Sequence, residues 1–288
     1  MNYQIFTDAT ADMNDAMLAE FPIRMISMNV NLGDRDYVYG PDGNLDIQDF
    51  YAQQRNGKFA STSQISPSTY LEQFTPVLEA GTDILYLCFS SGLSETYSTA
   101  QLAARDLAES FPERRIVVID TLCAAVGEGL LVYEAARKQA AGWSMDELIA
   151  WVEAHRLEVC HWFTVDTFDH LRHGGRVSGA TAAVGSLLNI KPLLHVDAAG
   201  KLETMAKPRG RKQAMTQQLA HMQNGWKPEL GNFVLIGHGD VPEEAENLKA
   251  AVLEMHPEAE VQTAWIGPVI GAHTGPGMLA LIFWGSER

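Results

Sequence analysis

Four short stretches concentrate the side chains able to do chemistry. FTDATADM places Thr7, Asp8, Thr10 and Asp12 just after a strand-like run. Carboxylates and hydroxyls there could hold a metal or a phosphate-bearing ligand, or cap the next helix. ASTSQISPS sets Ser61, Thr62, Ser63, Gln64 and Ser66 just before a helix-like segment. Hydroxyls and backbone N–H groups at a helix N-terminus suit an anion; an ordinary N-cap by Ser66 explains only one of those hydroxyls. CFSSGLSETY runs from a strand through Ser90, Ser91, Gly92 and Ser94 into a helix. Ligands of parallel sheets bind outside the carboxyl ends of the strands, so this is a site position, and capping by Ser94 is the other reading. GPVIGAHTGPG, residues 267–277, holds four Gly, two Pro and His273, which can titrate near neutral pH. It reads either as a backbone cradle presenting His273 to a ligand or as a tight turn with a stray polar side chain.

Other chemistries find less support. No GxGxxG follows a strand, and Gly127 and Gly129 fall inside a helical pattern. Walker GKS or GKT and hydrolase GxSxG sequences are missing. HLRH spaces His170 and His173 to seat a metal, but no third ligand is evident, so a surface helix end is expected and no metal is assigned.

The elements that must position these residues alternate. YQIFTD, IRMISMNVNL, DILYLCFSS and RRIVVIDT read as strands, the third apolar throughout as in a strand buried on both faces. Between them lie helix patterns. PSTYLEQFTPVLEAG has Ser66 at its N-cap and Pro at the first helical position. SETYSTAQLAARDLAESF, AAVGEGLLVYEAARKQAAG and SMDELIAWVEAHRLEV follow, the last with Ser144 and Glu147 as a capping box. This alternation predicts a mostly parallel, helix-covered sheet. Near residue 158 the pattern changes. HWFTV reads as a strand, then DTFDHLRHGG and SGATAAVGSLLN as helices. KPLLHV and KLETMAK form a hairpin through DAAG. A polar helix from about Arg209 to Asn224, strand NFVLIGHG, a helix after Pro242, and strands EVQTAWIG and MLALIFWG complete the chain. The fold class expected is α/β in two domains. Residues 1–157 form a parallel α/β domain, and 158–288 an α+β domain with a mixed or antiparallel sheet. The polar loop NLGDRDYVYGPDGN receives no role.

Bulk properties narrow the partners. The chain has 288 residues, 46% of them hydrophobic, enough to bury a large core. A net charge of −15 disfavours nucleic acid and anionic membrane surfaces. The opening MNYQIFTDATADM lacks the basic start and long apolar run of a signal peptide. ILYLCF and MLALIFW are far below the ~20 residues of a membrane span. Cys88, Cys123 and Cys160 are widely spaced and odd in number, which fits buried free thiols in a cytoplasmic protein.

Taken together, TDATAD, TSQISP, SSGLSETY, VVIDT, HGGRVSG, LLNIKPLL, GRKQAM and GPVIGAHTGPG resemble the DegV family, in its order and almost end to end. The resemblance implies a two-domain α/β fold with one long-chain fatty acid, such as palmitate, in a tunnel between the domains. It implies that Thr62 and Ser94 hold the carboxylate and that His273 joins that network; their neighbours Ser63, Gln64, Ser91 and Gly92 are expected at the pocket mouth. It implies a carrier without chemistry or cofactor of its own. A separate fatty acid kinase subunit would phosphorylate the bound carboxylate to an acyl phosphate for phospholipid synthesis. Arg176 and Arg209 match positions that help docking. No stable membrane insertion is implied, at most a transient contact. Ala9 stands where the family usually has serine, and Glu95 where it usually has glycine. Two other functions stay open: an acyl-transfer enzyme with Ser94 as nucleophile and His273 as base, and a lipid-binding module without a kinase partner.

Overall fold

The computed structural model describes residues 2–41, 43–177 and 189–288. Its first sheet is parallel, in the order β2 (Arg24–Ile26), β1 (Tyr3–Asp8), β6 (Asp83–Cys88), β7 (Ile116–Asp120). β6 is buried from its second residue onward, which is why it reads as one apolar run. Helix α3 (Pro67–Glu79) packs on β6, and α4 (Thr96–Ser110) on β7. Ser66 caps α3, its hydroxyl accepting from Thr69 N–H at 3.2 Å.

The sequence reading of IRMISMNVNL as one strand needs correction. The run divides at Ser27 into β2 and β3 (Met28–Leu32), which serve different sheets. β3 alternates buried Met28, Val30 and Leu32 with Asn29 and Asn31, the pattern of a half-buried antiparallel strand. It pairs with β4 (Arg35–Tyr39) and β5 (Ala60–Thr62). The loop without a role is therefore largely a hairpin, turned by Gly33 at φ 68°.

The third sheet is mixed, in the order β10 (Leu202–Ala206), β9 (Leu193–Val196), β8 (Val159–Thr164), β13 (Leu279–Trp284), β11 (Phe233–His238), β12 (Glu260–Trp265). Only β11 and β12 run parallel among the described pairs. Strand alternation gives it two faces. Cys160, Trp162, Val234, Ile236, Leu281 and Phe283 form an apolar cluster under α8 (Arg211–Gly225) and α9 (Pro242–Met255). Phe163, Leu194, Leu235, Ala280 and Ile282 face the other way, into a core shared with Ile5, Leu85 and Leu87 of the parallel sheet. Helix α5 (Val126–Ala140) runs through that core, and every residue from Val126 to Ala136 is buried. A helix apolar on nearly all sides is what such a position requires. Helix α6 (Met145–His155) packs beside it, and its capping box is formed as expected.

GPVIGAHTGPG also departs from expectation. Pro268–Thr274 is helical, with Gly267 at the N-cap, Pro268 in the first turn and Gly275 at φ 73° closing the end. Pro inside the start and Gly past the end delimit the helix rather than prevent it. SGATAAVGSLLN falls almost entirely outside the described residues. The three cysteines are free and buried. No described helix is long and apolar enough to cross a membrane.

Candidate functional site

A cavity of about 220 Å³ lies against the inner face of the mixed sheet, beyond the carboxyl ends of β6 and β7. Phe163, Val196, Leu202, Ala280 and Ile282 supply the sheet side; Phe89, Leu93, Ala124 and Ala125 come from the loops after β6 and β7. The walls are mainly apolar, and the polar groups gather toward one end.

That end is built by two distant segments. The short helix at Pro268–Thr274 packs on β3, β5 and a further turn of helix, Asp169–His173. This brings His273 Nε2 to 2.8 Å from Thr62 Oγ1, the last residue of β5. Gly174 makes the fit possible, since a Cβ there would overlap the His273 ring. Burial, and then the charges of Arg176, His173 and His170, push the His273 pKa down to about 4. The imidazole is thus neutral near pH 7 in the free protein.

Ser94 lies on the cavity wall, one residue before Glu95, the N-cap of α4. Its hydroxyl oxygen accepts from Thr96 N–H at 3.2 Å and lies 2.8 Å from Thr96 Oγ1. With Thr96 donating, the Ser94 O–H is free to donate into the cavity. Glu95 is exposed and accepts from Ser98 Oγ at 3.0 Å, so its carboxylate is engaged on its own helix. Arg176 is half-buried on the same wall and donates to the carbonyls of Leu93, at 3.3 Å, and Gly174. Ser63 and Gln64 join the lining; Ser91 and Gly92 do not. Ser91 N–H goes to Asp120 Oδ1 at 3.1 Å, and Gly92 packs against the backbone of Ala199 and Gly200. Arg209 is exposed and away from the wall, its N–H donating to Gln213 at 2.8 Å. His170 and His173 flank the Phe59 ring, each with centroids 4.7 Å away, rather than converging on a metal.

TDATAD forms an inner support. Thr10 touches the cavity, and its hydroxyl lies between two buried carboxyls, Asp8 Oδ1 and, at 2.8 Å, Glu128 Oε2. One hydroxyl proton cannot serve both acceptors, so one carboxyl must be protonated. Asp8 receives Thr10 N–H at 3.0 Å, Tyr86 O–H at 2.8 Å and Phe89 N–H at 3.3 Å. Among the described residues Glu128 receives only Thr7 besides, at 3.1 Å; desolvation raises the pKa of both carboxyls, that of Glu128 further than that of the better hydrogen-bonded Asp8. Glu128 therefore carries the proton, and the order is Glu128 to Thr10 to Asp8. Ala9 sits at zero exposure in the cluster containing Val269 and Ala272, where a methyl fits the apolar surroundings.

Sequence reasoning missed His161 and Glu128. His161 Nδ1–H donates to Val159 O at 2.8 Å, and Nε2 accepts Ala124 N–H at 3.3 Å. Gly127 is the available signal: a Cβ there would overlap this ring, so a glycine inside a helical pattern marks close packing.

Comparison with known proteins now decides the family. The model described as "Uncharacterised protein, DegV family" matches residues 2–285. The chain belongs to the DegV family. A DegV domain-containing protein of Clostridium perfringens is 39% identical over 286 residues, 99% of this chain and 98% of the relative. A Thermus thermophilus DegV-family structure, described by its fatty acid binding, superposes with TM-score 0.88 at 28% identity, covering 99% and 100% of the two chains. The B3 protein of the Streptococcus pneumoniae fatty acid kinase, loaded with linoleic acid, shares the DegV fold with TM-score 0.86 at 22% identity, covering 99% and 100%.

Proposed function

We propose that this DegV-family chain binds one long-chain fatty acid non-covalently. Its tail lies along the apolar cavity, and its carboxylate meets Thr62, Ser94, Arg176 and His273. The observation that carries this reading is the pairing of Thr62 with His273 at the polar end of a mainly apolar cavity. Each buried CH₂ contributes about 0.8 kcal/mol, whereas an unpaired buried carboxylate costs several kcal/mol. Hydroxyl and imidazole donors beside a guanidinium offset that cost. The fatty acid binding described for the Thermus thermophilus relative supports the same reading.

The finer part of the proposal is a cytoplasmic carrier that presents the carboxylate to a kinase subunit for acyl-phosphate formation and phospholipid synthesis. It divides the chain into working halves, 1–157 and 158–288, with the ligand between them. Arg176 and Arg209 serve docking, and Arg176 serves the head group too. No cofactor enters this scheme. The acyl-transfer alternative is weakened by geometry. His273 is engaged with Thr62 and Ser94 with Thr96, so Ser94 lacks an adjacent base.

Native mass spectrometry of the protein purified from a bacterial host should show one non-covalent long-chain acid. A protein that is empty and also refuses added acids overturns the reading. A covalent adduct on Ser94 restores the enzyme. Acyl-phosphate formation with a partner kinase tests the finer part.

A further inference from the structure

We infer that Thr96 is a positioning residue for the head group: it holds Ser94 as a donor only, so that the polar end favours a carboxylate over a head group that must itself donate. This rests on the fatty-acid reading and adds which head group is selected and what selects it.

Thr96 is the first residue of α4, has zero exposure and does not line the cavity. Its N–H donates to Ser94 Oγ at 3.2 Å, and its hydroxyl lies 2.8 Å from the same oxygen. Each hydroxyl has one proton to give and two lone pairs to fill. If the Ser94 proton went to Thr96, the Thr96 proton would be buried with no acceptor among the described residues. Such a buried orphan is costly. With the Thr96 proton on Ser94 instead, both Ser94 lone pairs are filled and only the Ser94 proton awaits a partner.

Thr96 is itself held in place. Tyr70 of α3 donates to the Thr96 carbonyl at 3.4 Å, and its hydroxyl lies 3.3 Å from that of Tyr86, which donates to Asp8. The first turn of α4 is thereby tied to the buried Asp8 carboxyl.

An ionised carboxylate has lone pairs alone and takes the Ser94 proton. A fatty alcohol of the same length can accept that proton too, but it brings a proton that Ser94 has no lone pair to receive. Donation from Thr96 also polarises the Ser94 hydroxyl and strengthens its bond to an anion.

Displacement of a fluorescent fatty acid should compare palmitic acid with 1-hexadecanol in the wild type, Thr96→Val and Thr96→Ser. Valine keeps the size and the backbone N–H and removes the hydroxyl; serine restores it. In Thr96→Val one Ser94 lone pair falls vacant. Palmitic acid should then lose about two- to tenfold in affinity while hexadecanol loses none, and Thr96→Ser should recover the wild-type ratio. An unchanged acid-to-alcohol ratio in Thr96→Val, or no recovery in Thr96→Ser, overturns the inference. The unmodified protein supplies a second measurement, hydroxyl exchange read through the H/D isotope shift on Cβ. Without ligand, the Thr96 proton should exchange slowly and the Ser94 proton fast, and palmitic acid should slow the latter. A Ser94 proton already protected in the free protein is donated to Thr96 and overturns the inference without any variant. A wild type that binds neither palmitic acid nor hexadecanol refutes the fatty-acid reading instead, while exchange still reports the direction of the Thr96–Ser94 bond.

Discussion

The cavity has a polar end and an inner wall where Thr10 and His161 are backed by Asp8 and Glu128, and the two spend their hydrogen bonds differently. At the polar end capacity is left over. Among the described residues His273 Nδ1 has no hydrogen-bond partner, the Ser94 proton is free when Thr96 donates, and Arg176 donates to carbonyls. On the inner wall nothing is left over. Asp8, Glu128 and His161 use both of their polar atoms on Thr7, Thr10, Tyr86 and nearby backbone. Buried polar groups are normally satisfied, so the unspent set points to a ligand and the spent set to the fold. The two walls should then fail separately under mutation.

The largest effect is expected on the inner wall. Asp8→Ala takes the acceptor from four donors: Thr10 N–H, Thr10 O–H, Tyr86 O–H and Phe89 N–H. Each unsatisfied buried group costs about 1–3 kcal/mol. A total above about 3 kcal/mol lowers the melting temperature by roughly 6 °C or more. Calorimetry checks this. An Asp8→Ala protein that melts like wild type would show that the inner network is not structural, and the contrast between the walls would break.

The next effect belongs to the polar end and should leave melting alone. On the proposed reading, Thr62→Ala and Ser94→Ala each remove one hydrogen bond to a charged head group, about 1.5–3 kcal/mol. Fatty-acid affinity should fall roughly ten- to hundredfold, read by titration with a fluorescent acid. Loss of thermal stability without loss of affinity would reassign both hydroxyls to the fold. That outcome is a specific risk for Ser94, which also accepts the first N–H of α4 from Thr96.

How much of this was legible in the sequence depends on what each feature needed. Ser66, and Ser144 with Glu147, are local devices, and both caps formed where read. The strand order was not legible, because β13 enters between β8 and β11 through contacts far apart in the chain. IRMISMNVNL carried no local sign of its division, since Ser27 breaks nothing until Gly40 packs against it. Thr62 and His273 stood out by residue type and were joined in one network by the resemblance, and only the fold places them 2.8 Å apart. The charge state of His273 needed burial, which spacing does not encode. Ser91 and Gly92 were drawn into the pocket by adjacency to Ser94, although their turn faces the hairpin at Gly200.

The smallest effect concerns pH and sharpens the contrast most. With a pKa near 4 in the free protein, His273 offers a hydrogen bond and not a charge. Between pH 6 and 9 the ring is neutral and a fatty-acid carboxylate is ionised, so affinity should vary by less than about twofold. Stability has its own sign. The folded pKa lies below the unfolded value of 6.5, so the unfolded chain takes up the proton first. Stability is thus lost as pH falls from about 6.5 toward 4, and His273→Ala should flatten part of that acid limb. Parallel titrations of wild type and His273→Ala across the range decide between charge and hydrogen bond. Wild-type affinity that drops as pH rises through 7, with a flat response in the variant, would mean that bound acid lifts the ring's pKa into the neutral range. The polar end would then hold its ligand by an ion pair, and its spare capacity would be electrostatic rather than a reserve of neutral donors.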